Sequence, residues 1–134
     1  MEVAGMARER VQDMADHCAI EVAVSVLGGK WKLVIVEYLL EHPHRFGELH
    51  RRLPGITQRM LTRQLRELEA DGIITRTVHH QVPPRVDYDL TDAGRRFAPA
   101  AEQLRLWGAW YKRQLVERDA AEPATSAEPV TPVS

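Results

Sequence analysis

A mainly α, α+β fold of the winged helix-turn-helix type is what this 134-residue sequence predicts. Three observations predict it: a short helical pattern followed at once by a strongly amphipathic one, two β-branched runs split by a proline pair, and an apolar stripe at helical spacing near the C-terminal end. A composition of 44% hydrophobic and 28% charged residues suits one globular domain with one core.

The domain is expected over residues 18–116, between a partly flexible segment, 1–17, and a disordered tail, 117–134. In the first segment Val11, Met14 and Ala15 can start an amphipathic turn. The tail, ending AAEPATSAEPVTPVS, has too few large apolar residues to offset its ordering entropy. Ile20, Val22, Ala23, Val26 and Leu27 predict a short helix ended by Gly28 and Gly29. A second helix over 30–40 repeats Trp31, Val34, Ile35, Tyr38 and Leu39 and stops before Pro43. Residues 44–53 read as a third short helix with Phe46 and Leu49 inward, closed by Pro54 and Gly55.

Thr57 is an N-cap for the best specified helix, which continues to Asp71 and Gly72. Residues 73–80 and 86–90 read as the two strands of a hairpin wing, with Pro83 and Pro84 stiffening the tip. Thr91 is expected to cap a last helix that runs through Leu115, with Leu104, Trp107, Tyr111 and Leu115 on one stripe and Trp110 beside it.

A net charge of -1 argues against a nucleic-acid partner only as an average. Residues 45–66 carry Arg45, Arg51, Arg52, Arg59, Arg63 and Arg66 against Glu48 alone, while both ends of the chain are acidic. In the helix after Thr57, Leu61, Leu65 and Leu68 fall on one face, which turns Gln58, Arg59, Thr62, Arg63 and Arg66 outward. Arginine can donate twice to guanine, glutamine can pair with adenine, and threonine can touch base or phosphate. A merely solvated face, with Glu67 and Glu69 pairing locally, is the competing reading; a short helix before and a hairpin after favour double-stranded DNA as the partner. Arg85 beside the prolines is a candidate wing contact and Lys30, with Lys32, a weaker phosphate contact.

These linked segments, LGGKW (27–31), RFGEL (45–49), PGITQRMLTRQLRELEADGII (54–74) and VPPRVDYDLTDAG (82–94), resemble the HxlR-type transcriptional regulators of the MarR-like superfamily. The resemblance implies a regulator, expected to be a repressor, that binds an inverted-repeat operator as a homodimer joined through its N- and C-terminal helices. The stripe Leu104, Trp107, Trp110, Tyr111 and Leu115 is then the expected interface, where core packing within one subunit is the alternative. Cys18 matches a cysteine that many members use to sense oxidants or electrophiles, although Ala19 stands where proline often follows. At a helix start the thiolate is favoured, with His17 able to assist. With a single cysteine, any disulfide must join subunits or a small thiol.

Other classes fare worse. His42, His44, His50, His79, His80 and Cys18 show no compact ligand spacing, so no metal or other cofactor is expected. No phosphate-cradling glycine loop or nucleophile elbow points to an enzyme. The absence of a membrane-length apolar run or signal peptide points to the cytoplasm. A ligand- or metal-responsive regulator, or a winged helix used for protein contact, stays as the alternative.

Overall fold

The computed structural model describes residues 11–121; the expectations for 1–10 and 122–134 lie outside the described residues. The chain divides into two compact units, one reaching Ala98 and the other starting at Pro99.

In the first unit, a 3₁₀ turn, Val11–Asp13, leads to Met14, which is buried. Helix α1, Ala19–Leu27, has Cys18 at its N-cap position, without a side-chain capping bond, and is closed at Gly28, with Gly29 at φ +95. Helix α2, Lys32–Glu41, buries Lys32, Ile35, Val36 and Leu39, a stripe rotated from the expected one, since Val36 replaces Val34 and Lys32 joins it.

The third element departs from expectation. His44–Arg45 form a short strand, β1, and only Phe46–Arg52 are helical, α3. Pro43 ends α2 and leaves the chain extended, and β1 then pairs with the wing through His44↔Tyr88 and Arg45↔Asp87. The wing is therefore the larger part of a three-stranded sheet, order β1-β3-β2.

Helix α4, Gln58–Ala70, follows as expected: Thr57 Oγ1 accepts the Met60 N–H at 3.0 Å, and Leu61, Leu65 and Leu68 are buried. Gly72, at φ +77, takes the left-handed turn that ends α4, where a β-carbon would strain the backbone. Strands β2, Ile74–His79, and β3, Arg85–Leu90, pair antiparallel from Ile74↔Leu90 to His79↔Arg85. One core gathers Leu27, Ile35, Leu49, Leu53, Ile56, Leu65 and Leu90, so the helices and the hairpin are locked to the same apolar centre.

Thr91 does cap a helix, but a one-turn one: α5, Asp92–Arg95, with Thr91 Oγ1 accepting the Gly94 N–H at 3.1 Å. The long helix, α6, is Ala98–Ala121. A continuous helix from Thr91 would place Pro99 in its interior, where its ring meets the Arg95 carbonyl and no N–H is available; in the first turn of a new helix it is tolerated. At the other end α6 runs beyond Leu115 and includes 117–121, which the sequence reading assigned to the tail. Nothing in that stretch breaks a helix before Pro123.

In the second unit α6 exposes Leu104, Leu106, Trp107, Trp110, Tyr111, Leu115 and Val116. Among the described residues no helix is long and apolar enough to cross a membrane.

Candidate nucleic-acid interface

The three leucines of α4 set its outer face. Gln58, Arg59, Arg63 and Arg66 are exposed and Thr62 is half-buried. The turn before α4 is held on both sides. His50 Nε2 lies 3.0 Å from the Ile56 carbonyl, so its N–H donates across the turn, and Thr57 caps the helix beyond. A reading helix needs this rigidity because base contacts tolerate little displacement.

Behind the exposed face, Glu67 receives Lys32 Nζ at 2.5 Å through one oxygen and Arg63 Nε at 3.4 Å through the other. Lys32 is only 4% exposed, so it anchors α4 to α2 and is no phosphate ligand, contrary to its reading from the sequence. The Arg63 contact is an exposed i,i+4 pair, weak enough to be exchanged for DNA.

Folding also sorts the arginine cluster. Arg52, at the end of α3, donates to Glu41 at 2.8 and 3.2 Å and lies 3.8 Å over the Tyr38 ring. That bond holds the Glu41 carboxyl below the usual glutamate range. Arg45 donates its backbone N–H to Glu48 at 2.8 Å, which lowers Glu48 likewise, while its side chain stands 4.0 Å from Asp87. The positive charge left on the outer face of α4 is Arg59, Arg63 and Arg66.

The wing differs from its sequence reading. Arg85 begins β3 and does not sit at the tip; its Nε is 3.4 Å from Asp87 Oδ1, and Asp87 also meets His79 at 3.0 Å. The exposed tip carries Val82, Pro83 and Pro84. A different arginine joins the α4 face: Arg76 of β2 lines a cleft with Thr62, Arg66, Glu69, Phe46 and Tyr88. The signal for it was the strand alternation, since the register Arg76↔Tyr88 puts both on the face turned to α4. Lys30 is exposed and stacks over Trp31 at 4.7 Å.

Away from this face, Cys18 is exposed, free and the N-cap of α1. His17 does not stand ready for it alone: its ring meets Glu21 at 2.9 Å and Asp16 at 3.9 Å. On α6 the predicted stripe is exposed, with Trp107 stacked on Tyr111 at 5.1 Å and Trp110 6.2 Å from Trp107. On α1, Ile20 and Val24 are exposed too, at 76% and 61%.

The HxlR-like helix-turn-helix family matches residues 26–116. The HTH-type transcriptional regulator YybR of Bacillus subtilis (strain 168) is 46% identical over 101 residues, covering 75% of this chain and 81% of that protein. An HTH-type transcriptional regulator of Methanothermobacter thermautotrophicus is 50% identical over 102 residues, 74% of this chain and 78% of that one. Among solved structures, the redox regulator HypR in its reduced form is similar at 48% identity and TM-score 0.70, covering 75% of this chain and 99% of that one. Its oxidised form gives 51% and 0.66, over 69% of this chain and 95% of that one.

Proposed function

The chain belongs to the HxlR-like helix-turn-helix family, and from that premise we propose that it is a cytoplasmic repressor that reads an inverted-repeat operator as a homodimer. Its class is that of a transcriptional regulator and not an enzyme. The observation that carries the reading is α4: three buried leucines lock the helix to the core while Gln58, Arg59, Thr62, Arg63 and Arg66 stay on the outer side. In the major groove the first two turns of α4 meet base edges, and Arg76, with Lys30 and Arg85 further out, meets phosphate. Arg85 is the weakest of these because Asp87 already meets its charge.

Exposed apolar faces support the dimer. Trp107 is 61% exposed, and large aromatics left in water on a helix favour a partner helix. Two copies joined through α1 and α6 supply the two α4 helices that half-sites about 34 Å apart require.

Cys18 supports thiol control. It is exposed at the start of α1, the helix that carries Ile20 and Val24. A two-electron oxidant takes two electrons and two protons from a pair of thiols, and with one cysteine per chain the pair is Cys18 with Cys18 of a second copy or with a small thiol. Either product repacks α1 in the dimer and changes the spacing of the α4 helices.

The test is DNA binding against salt. Genomic fragments selected by the protein are titrated from 50 to 200 mM salt; a regulator that neutralises several phosphates loses affinity by roughly 10³-fold or more. A flat profile points to a protein partner and sinks the reading. Cys18→Ser separates the thiol part: a full response to diamide in that variant removes Cys18 from control.

A further inference from the structure

Spacing alone hides a cluster that folding creates. Helix α2 ends at Glu41, Pro43 turns the chain into β1, and the rings of His42 and His44 come to lie parallel within 1°, with centroids 4.2 Å apart. One ligand atom from each of Glu41, His42 and His44 lies within 4.8 Å of the others.

Hydrogen bonds decide which nitrogen each ring offers. His42 Nδ1 is 2.6 Å from the Pro43 carbonyl, and His44 Nδ1 is 2.8 Å from the His42 carbonyl. A carbonyl only accepts, so both Nδ1 atoms carry a proton, and in the neutral rings both Nε2 atoms keep the lone pair. Metal-binding histidines are oriented in this way, with the second nitrogen held by a carbonyl. The acceptor role of His44 Nε2 is seen directly: Arg52 Nη1 lies 3.0 Å from it while the same guanidinium spans both Glu41 oxygens. The cluster already holds a cation, and that cation is a side chain.

We propose that Glu41, His42 and His44 form a binding site for a divalent transition metal of the zinc class, filled by displacing the Arg52 guanidinium. Two neutral imidazoles and one carboxylate are an accepted donor set for such an ion, with water as the fourth ligand. Donors around tetrahedral zinc stand about 3.3 Å apart and each imidazole binds in its own ring plane, so the three groups close from within 4.8 Å and the His42 ring turns out of its stack on His44 for both lone pairs to meet one ion. Glu41 and His42 are at the surface, where that movement is available, and His44 is buried and supplies the fixed point. Arg52 gives up its bonds to Glu41 and His44 on displacement, and the bonds of the ion to those same groups replace them.

The location has a consequence. Arg52 is the last residue of α3, the first helix of the helix-turn-helix pair, and its bond to Glu41 ties that helix to α2. His44 is paired with Tyr88 of the wing. Metal capture loosens the first tie and keeps the second.

Metal uptake is read without DNA, so its failure and the failure of the DNA-binding reading are distinguishable. Full-length protein is titrated with Co²⁺, followed by its visible absorption, and with Zn²⁺ in competition. One equivalent per subunit is expected, with affinity lowered at least tenfold in His42→Ala, raised in Arg52→Gln and unchanged in Cys18→Ser. His42 is exposed, so its variant tests the site even where Arg52→Gln folds poorly. Absence of stoichiometric uptake, or uptake indifferent to His42→Ala, overturns the proposal. An affinity lowered or unaltered in a folded Arg52→Gln overturns the displacement route.

Discussion

Replacing Lys32 by Met separates two roles that the residue has been given. Lys32 is 4% exposed, and its ammonium lies 2.5 Å from Oε1 of Glu67, whose side chain is 24% exposed and also holds Arg63. Methionine fills much of the same space, so no large cavity opens. Removing one partner of a fully buried ion pair costs about 3–5 kcal/mol. Here Glu67 keeps Arg63 and part of its hydration, so about half of that, ~2 kcal/mol, is expected. Urea unfolding at fixed protomer concentration measures it as a lower midpoint with unchanged m-value, together with a melting temperature lower by roughly 5–8 °C. Lys32→Met combined with Glu67→Gln should recover at least about 1 kcal/mol relative to additivity, because the stranded carboxylate is gone. The slope of log affinity against log salt should not change, since Lys32 does not reach the surface. A phosphate contact predicts the reverse, a slope smaller by about one with stability intact, and that result would refute the anchor.

Four further outcomes are expected. Arg63→Ala should weaken specific binding by roughly 1–3 kcal/mol and relax preference at one base pair, whereas Arg76→Ala should weaken all sequences alike and lower the salt slope by about one; competition binding on operator variants distinguishes them. Trp107→Ala should weaken self-association by about 2 kcal/mol or more, seen by sedimentation, and an unaltered dimer would remove the α6 stripe from the interface. Glu41 and Glu48 are both held below the usual glutamate range, by Arg52 and by the Arg45 amide respectively. Their stabilising effect is therefore complete above the ordinary glutamate pKa and is lost as pH falls through their lowered values, so Glu41→Gln should flatten the acid limb of a stability-versus-pH curve.

The elements legible in the sequence were those whose determinants are local. Thr57, the leucines at 61, 65 and 68, and Gly72 specify α4 by cap, period and stop, and the structure reproduces it within one residue at each end. Gly28, Gly29 and Pro43 punctuate α1 and α2 in the same way. Family membership was legible too, because the linked segments from LGGKW to VPPRVDYDLTDAG carry both the fold and its class.

What only the tertiary structure decided are pairings between segments distant in sequence. β1 exists because β3 offers a ladder to His44 and Arg45, a partner more than forty positions away that no local pattern announces. Charge behaved likewise. Residue type made Lys32, Arg52 and Arg85 look like DNA contacts or plain surface cations, yet Glu67, Glu41 and Asp87 meet them through folding, while Arg76 came forward from a strand. A side chain's sign is written in the sequence; how far that sign is available to DNA depends on how deeply the fold buries it and how firmly the acids it brings alongside hold it.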